Sequence, residues 1–326
     1  MPKNSPMNGA YTCPPWLPGG QVQTLYAYFV AKRPKISYRR ERWDTPDGDF
    51  IDIDWVDGNT DAPLVVLFHG LEGNSQSQYA LQLMHAVQRK DWRGAVVHFR
   101  GCSGELNRLP RAYHSGDTVE IDWVLQRMKQ LSPPAPLYAV GVSLGGNALL
   151  KWLGERQHEA KAVVQAAAAI SAPLDLMAAG DALGVGLNKL YTRHFLSTLK
   201  HKAALKLRQH PRLFDSAAML GTRNLREFDD IVTAPLHGFR DTDDYWTRAS
   251  CKPLLKHISV PTLLINARND PFLPSHALPR DGELSASITA EFPAHGGHVG
   301  FVSGRFPGNL QWMPQRLMHF FNDNKG

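Results

Sequence analysis

Gly141-Val142-Ser143-Leu144-Gly145 follows the apolar run Leu137-Tyr138-Ala139-Val140 and leads into Asn147-Ala148-Leu149-Leu150-Lys151-Trp152-Leu153. The run before it reads as a buried strand and the run after it as a helix, so a serine stands where the chain turns sharply from one to the other. Such a turn lifts the hydroxyl clear of the backbone, and only glycine at the flanking positions lets strand and helix approach so closely. The bare Gly-x-Ser-x-Gly pattern arises by accident in about one chain in ten of this length. Its weight therefore rests on what surrounds it.

The surroundings keep a definite chain order. Ile258-Ser259-Val260-Pro261-Thr262-Leu263-Leu264-Ile265-Asn266 reads as a second buried strand, and the polar turn Ala267-Arg268-Asn269-Asp270-Pro271 after it holds one carboxylate. Ile288-Thr289-Ala290-Glu291-Phe292 reads as a last short strand. It leads into the glycine-rich loop Ala294-His295-Gly296-Gly297-His298-Val299-Gly300-Phe301, where either histidine can serve as a base. Serine, then acid, then histidine is the order of α/β-hydrolases and differs from the orders found in other serine-triad folds. Upstream, Leu64-Val65-Val66-Leu67-Phe68 ends in His69-Gly70-Leu71-Glu72-Gly73-Asn74, where such enzymes place the first oxyanion-hole amide. The two donors are assigned to the backbone N–H groups of Leu71 and Leu144, the latter in the first helical turn, where the dipole favours negative charge.

Four segments resemble the YheT-like branch of the α/β-hydrolases, the AB hydrolase superfamily 4 group. They are His69-Gly70-Leu71-Glu72-Gly73-Asn74-Ser75, Arg100-Gly101-Cys102-Ser103-Gly104-Glu105, Gly141-Val142-Ser143-Leu144-Gly145-Gly146-Asn147 and Gly296-Gly297-His298-Val299-Gly300-Phe301. The resemblance runs from Trp16-Leu17-Pro18-Gly19-Gly20 to Phe301. It implies a triad of Ser143, Asp270 and His298, and so selects His298 over His295. It also implies a serine carboxylesterase or acylglycerol lipase that cleaves short or medium acyl esters through an acyl-enzyme, or an ester-forming acyltransferase with the same triad. A His-x-x-x-x-Asp pattern associated with acyl transfer in some relatives occurs at His210 to Asp215 and at His276 to Asp281, away from the elbow, and is read as coincidence.

Organisation along the chain fits an α/β fold. Arg39-Arg40-Glu41-Arg42-Trp43 and Phe50-Ile51-Asp52-Ile53-Asp54-Trp55-Val56 alternate around Thr45-Pro46-Asp47-Gly48 and predict an antiparallel hairpin. Beyond it strands (Gly94 to Phe99, Ala162 to Ile170) alternate with a helix over Thr118 to Leu131, which predicts a mostly parallel central sheet with helices on both faces. From Pro173 to about Lys256 helical stretches take over: Tyr191 to Leu207, Leu225 to Val232 and Asp243 to Ala249. The division expected is a first part of the core at 1–173, an inserted helical cap at 174–255 and a second part of the core at 256–326. A cap of this kind shapes the pocket and limits the access of water. The first fifteen residues, rich in proline and asparagine, are expected to form a loose arm.

Composition bounds the rest. With 326 residues and 43% hydrophobic content the chain can bury one large core plus an insertion. Cys13, Cys102 and Cys251 are widely spaced, which argues against a disulfide framework or thiolate zinc site and favours a reducing compartment. The N-terminus lacks the apolar stretch of a secretory signal, and no run nears the about 18 apolar residues that span a bilayer, so the expected location is cytoplasmic. The net charge of +6 gathers between Asn188 and Arg226, where nine Lys and Arg face the single acid Asp215. Such a basic cap can make peripheral contact with an anionic membrane or draw in an anionic substrate; the blander reading is a solvated helix face. No nucleic-acid motif accompanies it.

Each singled-out residue has a duller role to set beside the chemical one. Ser143 could simply end a strand, Asp270 could cap an Asn-Asp-Pro turn, and Cys102 is read as a small packed side chain. His69 is read as a structural hydrogen-bonding residue. His295 and His298 supply no complete ligand set at metal spacing, so neither a metal nor another cofactor is expected. The rival of another class is a hydrolase-fold scaffold that binds a ligand without catalysis. The partner expected is a small-molecule ester, and oligomeric state is left open.

Overall fold

A computed structural model describes residues 10–132 and 134–325. Its frame is an eight-stranded sheet: β1 (Arg39–Asp44), β2 (Phe50–Val56), β3 (Leu64–Phe68), β4 (Arg93–His98), β5 (Leu137–Val142), β6 (Ala166–Ile170), β7 (Thr262–Ile265) and β8 (Ile288–Glu291), in the order β1-β2-β4-β3-β5-β6-β7-β8. The hairpin β1–β2 and the pair β2–β4 are antiparallel and every later pair is parallel, which is the mostly parallel α/β sheet the alternation predicts.

Both faces of the central strands are covered, and the pleat assigns residues to each. Leu64, Val66 and Phe68 of β3 pack toward α3 (Thr118–Leu131) and α4 (Leu144–Arg156), with Ile121, Val124, Leu149 and Leu153. Val65 and Leu67 point the other way, toward Met84 and Val87 of α2 (Gln78–Gln88) and Leu317 and Phe321 of α11 (Trp312–Asp323). A strand buried on both sides needs no polar alternate, which is why β3, β5 and β6 read as continuous apolar runs.

Two strands are shorter than their apolar runs. Residues 157–162 form a 3₁₀ turn, and the amides of Val163 and Val164 bond back to Ala160, so β6 begins only at Ala166, opposite Tyr138. In the run from Ile258, Pro261 has no N–H to give a ladder, although its carbonyl accepts from Ala167, and β7 starts after it.

The N-terminal segment differs more. Of the expected arm, residues 1–9 lie outside the described residues, but Tyr11 is buried, donates to the Val302 carbonyl at 2.7 Å and packs edge-on against Phe301 and Trp312. Residues 10–15 are thus tied to the core rather than loose. Next comes α1 (Gly20–Phe29), a helix the sequence reading does not place: its apolar stripe Val22, Leu25 and Phe29 faces outward, and it buries Gln23 and Thr24 instead.

Between β6 and β7 the described residues contain no strand. They form α5 (Leu176–Leu183), α6 (Lys189–Gln209), α7 (Ser216–Gly221), α8 (Leu225–Phe228), α9 (Ala234–Leu236) and α10 (Thr242–Ala249). The predicted helix over Leu225 to Val232 is split: α8 ends at Phe228 and a π turn carries the chain through Asp229–Thr233. Leu196, Ala203, Met219, Phe228 and Val232 make a small apolar cluster of their own, apart from the sheet.

The basic stretch in these helices is not one solvated face. Lys202 pairs with Glu72 at 2.9 Å, Arg226 pairs with Asp181 and Asp243, and Lys200 donates to the carbonyls of Leu220 and Thr222. Lys206 donates to the carbonyls of Asn107 and Leu109, and burial pushes its ammonium pKa down to about 8.

Candidate active site

Ser143 joins the end of β5 to the start of α4 with φ 52° and ψ −121°, a left-handed backbone that a serine adopts only under constraint. The constraint is backbone against backbone. A Cβ on Gly145 would overlap the Phe68 carbonyl oxygen and stand 2.6 Å from that of His69; one on Gly141 would stand 2.6 Å from the Gly146 Cα. The Ser143 amide is held by the Ile170 carbonyl at 2.8 Å and the Gly145 amide by the His69 carbonyl at 3.1 Å.

The structure brings Ser143, His298 and Asp270 together. His298 Nε2 lies 3.0 Å from Ser143 Oγ, and His298 Nδ1 lies 2.9 Å and 3.2 Å from the two Asp270 oxygens. The Asp270 side chain is 1% exposed and that of His298 is 10% exposed. Asp270 Oδ1 also accepts from the Phe272 amide at 2.8 Å, which fixes the carboxylate behind the ring. His295 is exposed and contacts Asn269 at 3.4 Å. It stays outside the constellation.

The assigned amides have the character the chemistry needs. The neighbours of Leu71 are occupied: the Gly70 amide donates to the Tyr79 hydroxyl and the Glu72 amide to the Tyr113 hydroxyl, both at 2.9 Å. Burial raises both tyrosine pKa values, so both hydroxyls keep their protons. Between these two pinned residues, and between the pinned amides of Ser143 and Gly145, the N–H groups of Leu71 and Leu144 meet no protein acceptor among the described residues. The Leu144 amide is the first of α4, where the helix dipole adds to its pull on an anion.

His69 is fully buried, with Nδ1 donating to the Gly70 carbonyl and Nε2 accepting from the Phe99 amide. Burial pushes its pKa down to about 3, so it is a neutral strut of the loop that carries Leu71. Burial likewise pushes the Cys102 thiol up to about 11, against the opposing pull of Lys202. That is the packed, unreactive side chain expected of it.

Several supporting residues escape sequence reasoning. On the inner face of α1, Thr24 Oγ1 accepts the His298 amide at 2.8 Å, and Gln23 Oε1 accepts the Gly296 amide at 2.8 Å and Asn269 Nδ2 at 3.1 Å. The helix thereby holds the histidine loop. The Phe272 ring stacks on the His298 ring with centroids 4.1 Å apart, and Tyr191 of α6 meets Phe272 edge-on. Asn147, one turn after Ser143, binds the carbonyls of Ser115 and Ala249 and the amide of Cys251, stitching the loop before α3 and the C-terminal end of the helical segment to the elbow helix. The sequence signal available for α1 was an inverted one, polar residues at helical spacing behind an apolar stripe.

Ser143 and His298 open into a cavity whose volume available to the centre of a water molecule is about 180 Å³. Its wall is largely apolar, with Leu71 and Leu144 beside the serine and Leu183, Phe195, Leu199, Phe228 and Val232 from the helical segment opposite.

Residues 63–304 match the family model described as alpha/beta hydrolase fold. The chain belongs to that family. It is 38% identical to "Putative esterase YheT" of Escherichia coli over 96% of its own length and 91% of that protein's. It is 33% identical to "Phospholipase ABHD3" of Mus musculus over 94% of its length and 76% of that protein's. Among solved structures, Est1E from Butyrivibrio proteoclasticus with ferulic acid bound superposes with a TM-score of 0.55 at 12% identity, covering 89% of this chain and 99% of that one, a likeness of fold. The YheT-like resemblance of the four motifs therefore extends over 96% of the chain, and this α/β-hydrolase is of the esterase and lipase type.

Proposed function

We propose that the protein is a serine carboxylesterase that cleaves short or medium acyl esters or acylglycerols through an acyl-enzyme on Ser143. The observation that carries the reading is the unbroken line of contacts from Asp270 through His298 to Ser143 Oγ, set beside two unclaimed amides. His298 takes the serine proton as Oγ attacks the ester carbonyl, and Asp270 holds the ring by Nδ1 and offsets its charge once it is protonated. The carbonyl oxygen becomes an oxyanion between the amides of Leu71 and Leu144, and collapse of the tetrahedral adduct expels the alcohol, which takes its proton from His298. Water, deprotonated by the same imidazole, then releases the acid.

The helices of residues 174–255 act as a cap in this reading, because they supply the apolar wall against which an acyl chain would lie. Relatives named as an esterase and a phospholipase agree with an ester substrate. The three free cysteines fit work in the cytoplasm.

Labelling with a fluorophosphonate probe, followed by mapping of the modified peptide, tests the assignment. Ser143 should be labelled, and Ser143→Ala and His298→Ala should each abolish labelling, with a loss in kcat on the order of 10⁶ for the first. Folded wild-type protein that takes no label, or takes it elsewhere, would reject the triad.

A further inference from the structure

Helix α1 is amphipathic in the wrong direction for a helix that only packs against a core. Its inward face is Gln23, Thr24 and Ala27, and its outward face is Val22, Leu25 and Phe29, followed by exposed Val30; Phe29 is 73% exposed. A second exposed apolar group, Val185, Leu187 and Leu190, lies where α5 turns into α6, and Leu187 is 67% exposed. The two groups adjoin: Gln21 of α1 binds both Asn188 and the Tyr191 hydroxyl, and Tyr28 meets His194 edge-on. Soluble monomers rarely leave so much adjoining apolar surface uncovered without a partner for it.

Charge identifies the partner. No Asp or Glu occurs between residues 1 and 40 or between 182 and 214. Lys32, Arg33 and Lys35 follow α1, and Lys189 and Arg193 flank Leu190; all five are exposed. Unlike Lys202 and Arg226, which are held by Glu72 and by Asp181 with Asp243, none of these five pairs with a carboxylate among the described residues; Arg33 folds back onto the carbonyl and ring of Tyr28, beside the apolar patch. An apolar stripe rimmed by cations, with no carboxylate in either segment, suits insertion at the headgroup level of an anionic bilayer. No described helix is long and apolar enough to cross one.

We propose that the outer face of α1 and the α5–α6 turn together dock the protein on an anionic lipid surface. The position gives the contact a use. The turn runs between Leu183 and Phe195, both of which line the active-site cavity, and Asn188 within it is anchored to the carbonyls of Ala182 and Pro271. The opposite face of α1 holds the histidine loop through Gln23 and Thr24. Docking therefore sets the cavity against the lipid and steadies the helix behind His298.

Sedimentation with vesicles reads binding without any reference to catalysis. The protein should pellet with vesicles of phosphatidylcholine mixed with phosphatidylglycerol, far less with phosphatidylcholine alone, and less as salt rises. The double change Lys32→Gln and Lys189→Gln should weaken binding about 25-fold, at about fivefold per cation, and Phe29→Ser with Leu187→Ser on the order of tenfold. All four side chains are exposed, so both variants should keep the wild-type melting curve and wild-type labelling of Ser143. Equal or absent binding to the two kinds of vesicle would overturn the proposal. So would a concentration-dependent dimer in sedimentation velocity that Phe29→Ser abolishes, since the patch would then be covered by a second copy of the chain.

Discussion

At the elbow, Ser143 is placed by main chain against main chain: the carbonyls of Phe68 and His69 come so near α4 that Gly145 has no room for a side chain. Across the cavity, α6 reaches the loop that carries Leu71 through the tip of one long side chain, the Lys202 ammonium on Glu72. The floor is therefore specified by residues that must be absent beyond Cα, and the roof by residues whose far ends must find distant partners. Close backbone contact leaves no soft coordinate, whereas a lysine tip tolerates motion of the helix behind it. The floor suits positioning of reacting atoms, and the roof suits admission of substrate.

Gly145→Ala is the harshest way to test that contrast. The added methyl has only carbonyl oxygens to displace, and moving them shifts either the strand end that carries His69 or the helix that carries Leu144. A loss of about 3 kcal/mol or more in stability is expected, together with loss of probe labelling at Ser143. Urea unfolding measures the first and labelling the second. A variant as stable and as active as wild type would mean that the elbow is not the rigid half.

The same contrast explains what could be read from sequence. Glycine spacing around Ser143 is a local pattern with a local physical cause, so the nucleophile loop and the strand before it are legible. The order of Asp270 and the histidine loop behind it is legible only as a chain order, and the choice of His298 over His295 rests on the family resemblance. Helix α1 is not legible, because its inward polar residues serve a histidine loop more than 270 residues away, and Gln23 to Gly296 is a pairing no periodicity encodes. Lys202 and Lys206 read as surface charge for a similar reason. Sequence displays a lysine's charge but not the glutamate 130 positions away, or the carbonyls of Asn107 and Leu109, that draw it inward.

A gentler test compares carboxylates in the two halves. In the hairpin, burial works to raise the pKa of Asp54, but hydrogen bonds from Arg40, His98 and Ser75 outweigh it and hold the carboxyl below its ordinary range. Asp229, in the π turn of the helical segment, has Thr233 and Trp246 as its side-chain donors among the described residues, and burial raises it to about 6. The signs are opposite. Stabilisation from Asp54 is lost as pH falls, whereas Asp229 binds a proton in the folded state that the unfolded chain releases, so its contribution is lost as pH rises through the interval from about 4 to about 6. Asp229→Asn should match wild type near the acid end and exceed it above neutrality by up to about 3 kcal/mol. Thermal unfolding across pH measures this, and an unchanged pH slope in the variant would count against a charge buried without a cation.

The smallest expected effect is the most telling about the roof. Glu72 sits at φ 55° immediately after Leu71, with its amide on the Tyr113 hydroxyl and its carboxylate shared by that hydroxyl and by Lys202. Lys202→Met keeps the length and apolar stem of the side chain but removes the ammonium, leaving Tyr113 as the remaining described partner of the Glu72 carboxylate. Losing an oxyanion donor outright costs about 10² to 10³ in kcat, and loosening one residue beside it should cost less, about tenfold. Because the contact bears on the developing oxyanion and not on the acyl chain, the loss should fall on kcat with KM nearly unchanged, and Lys202→Arg should recover most of it. A rise in KM at constant kcat would instead make Lys202 merely a wall of the cavity, and the helical segment would then shape substrate binding without reaching the chemistry below it.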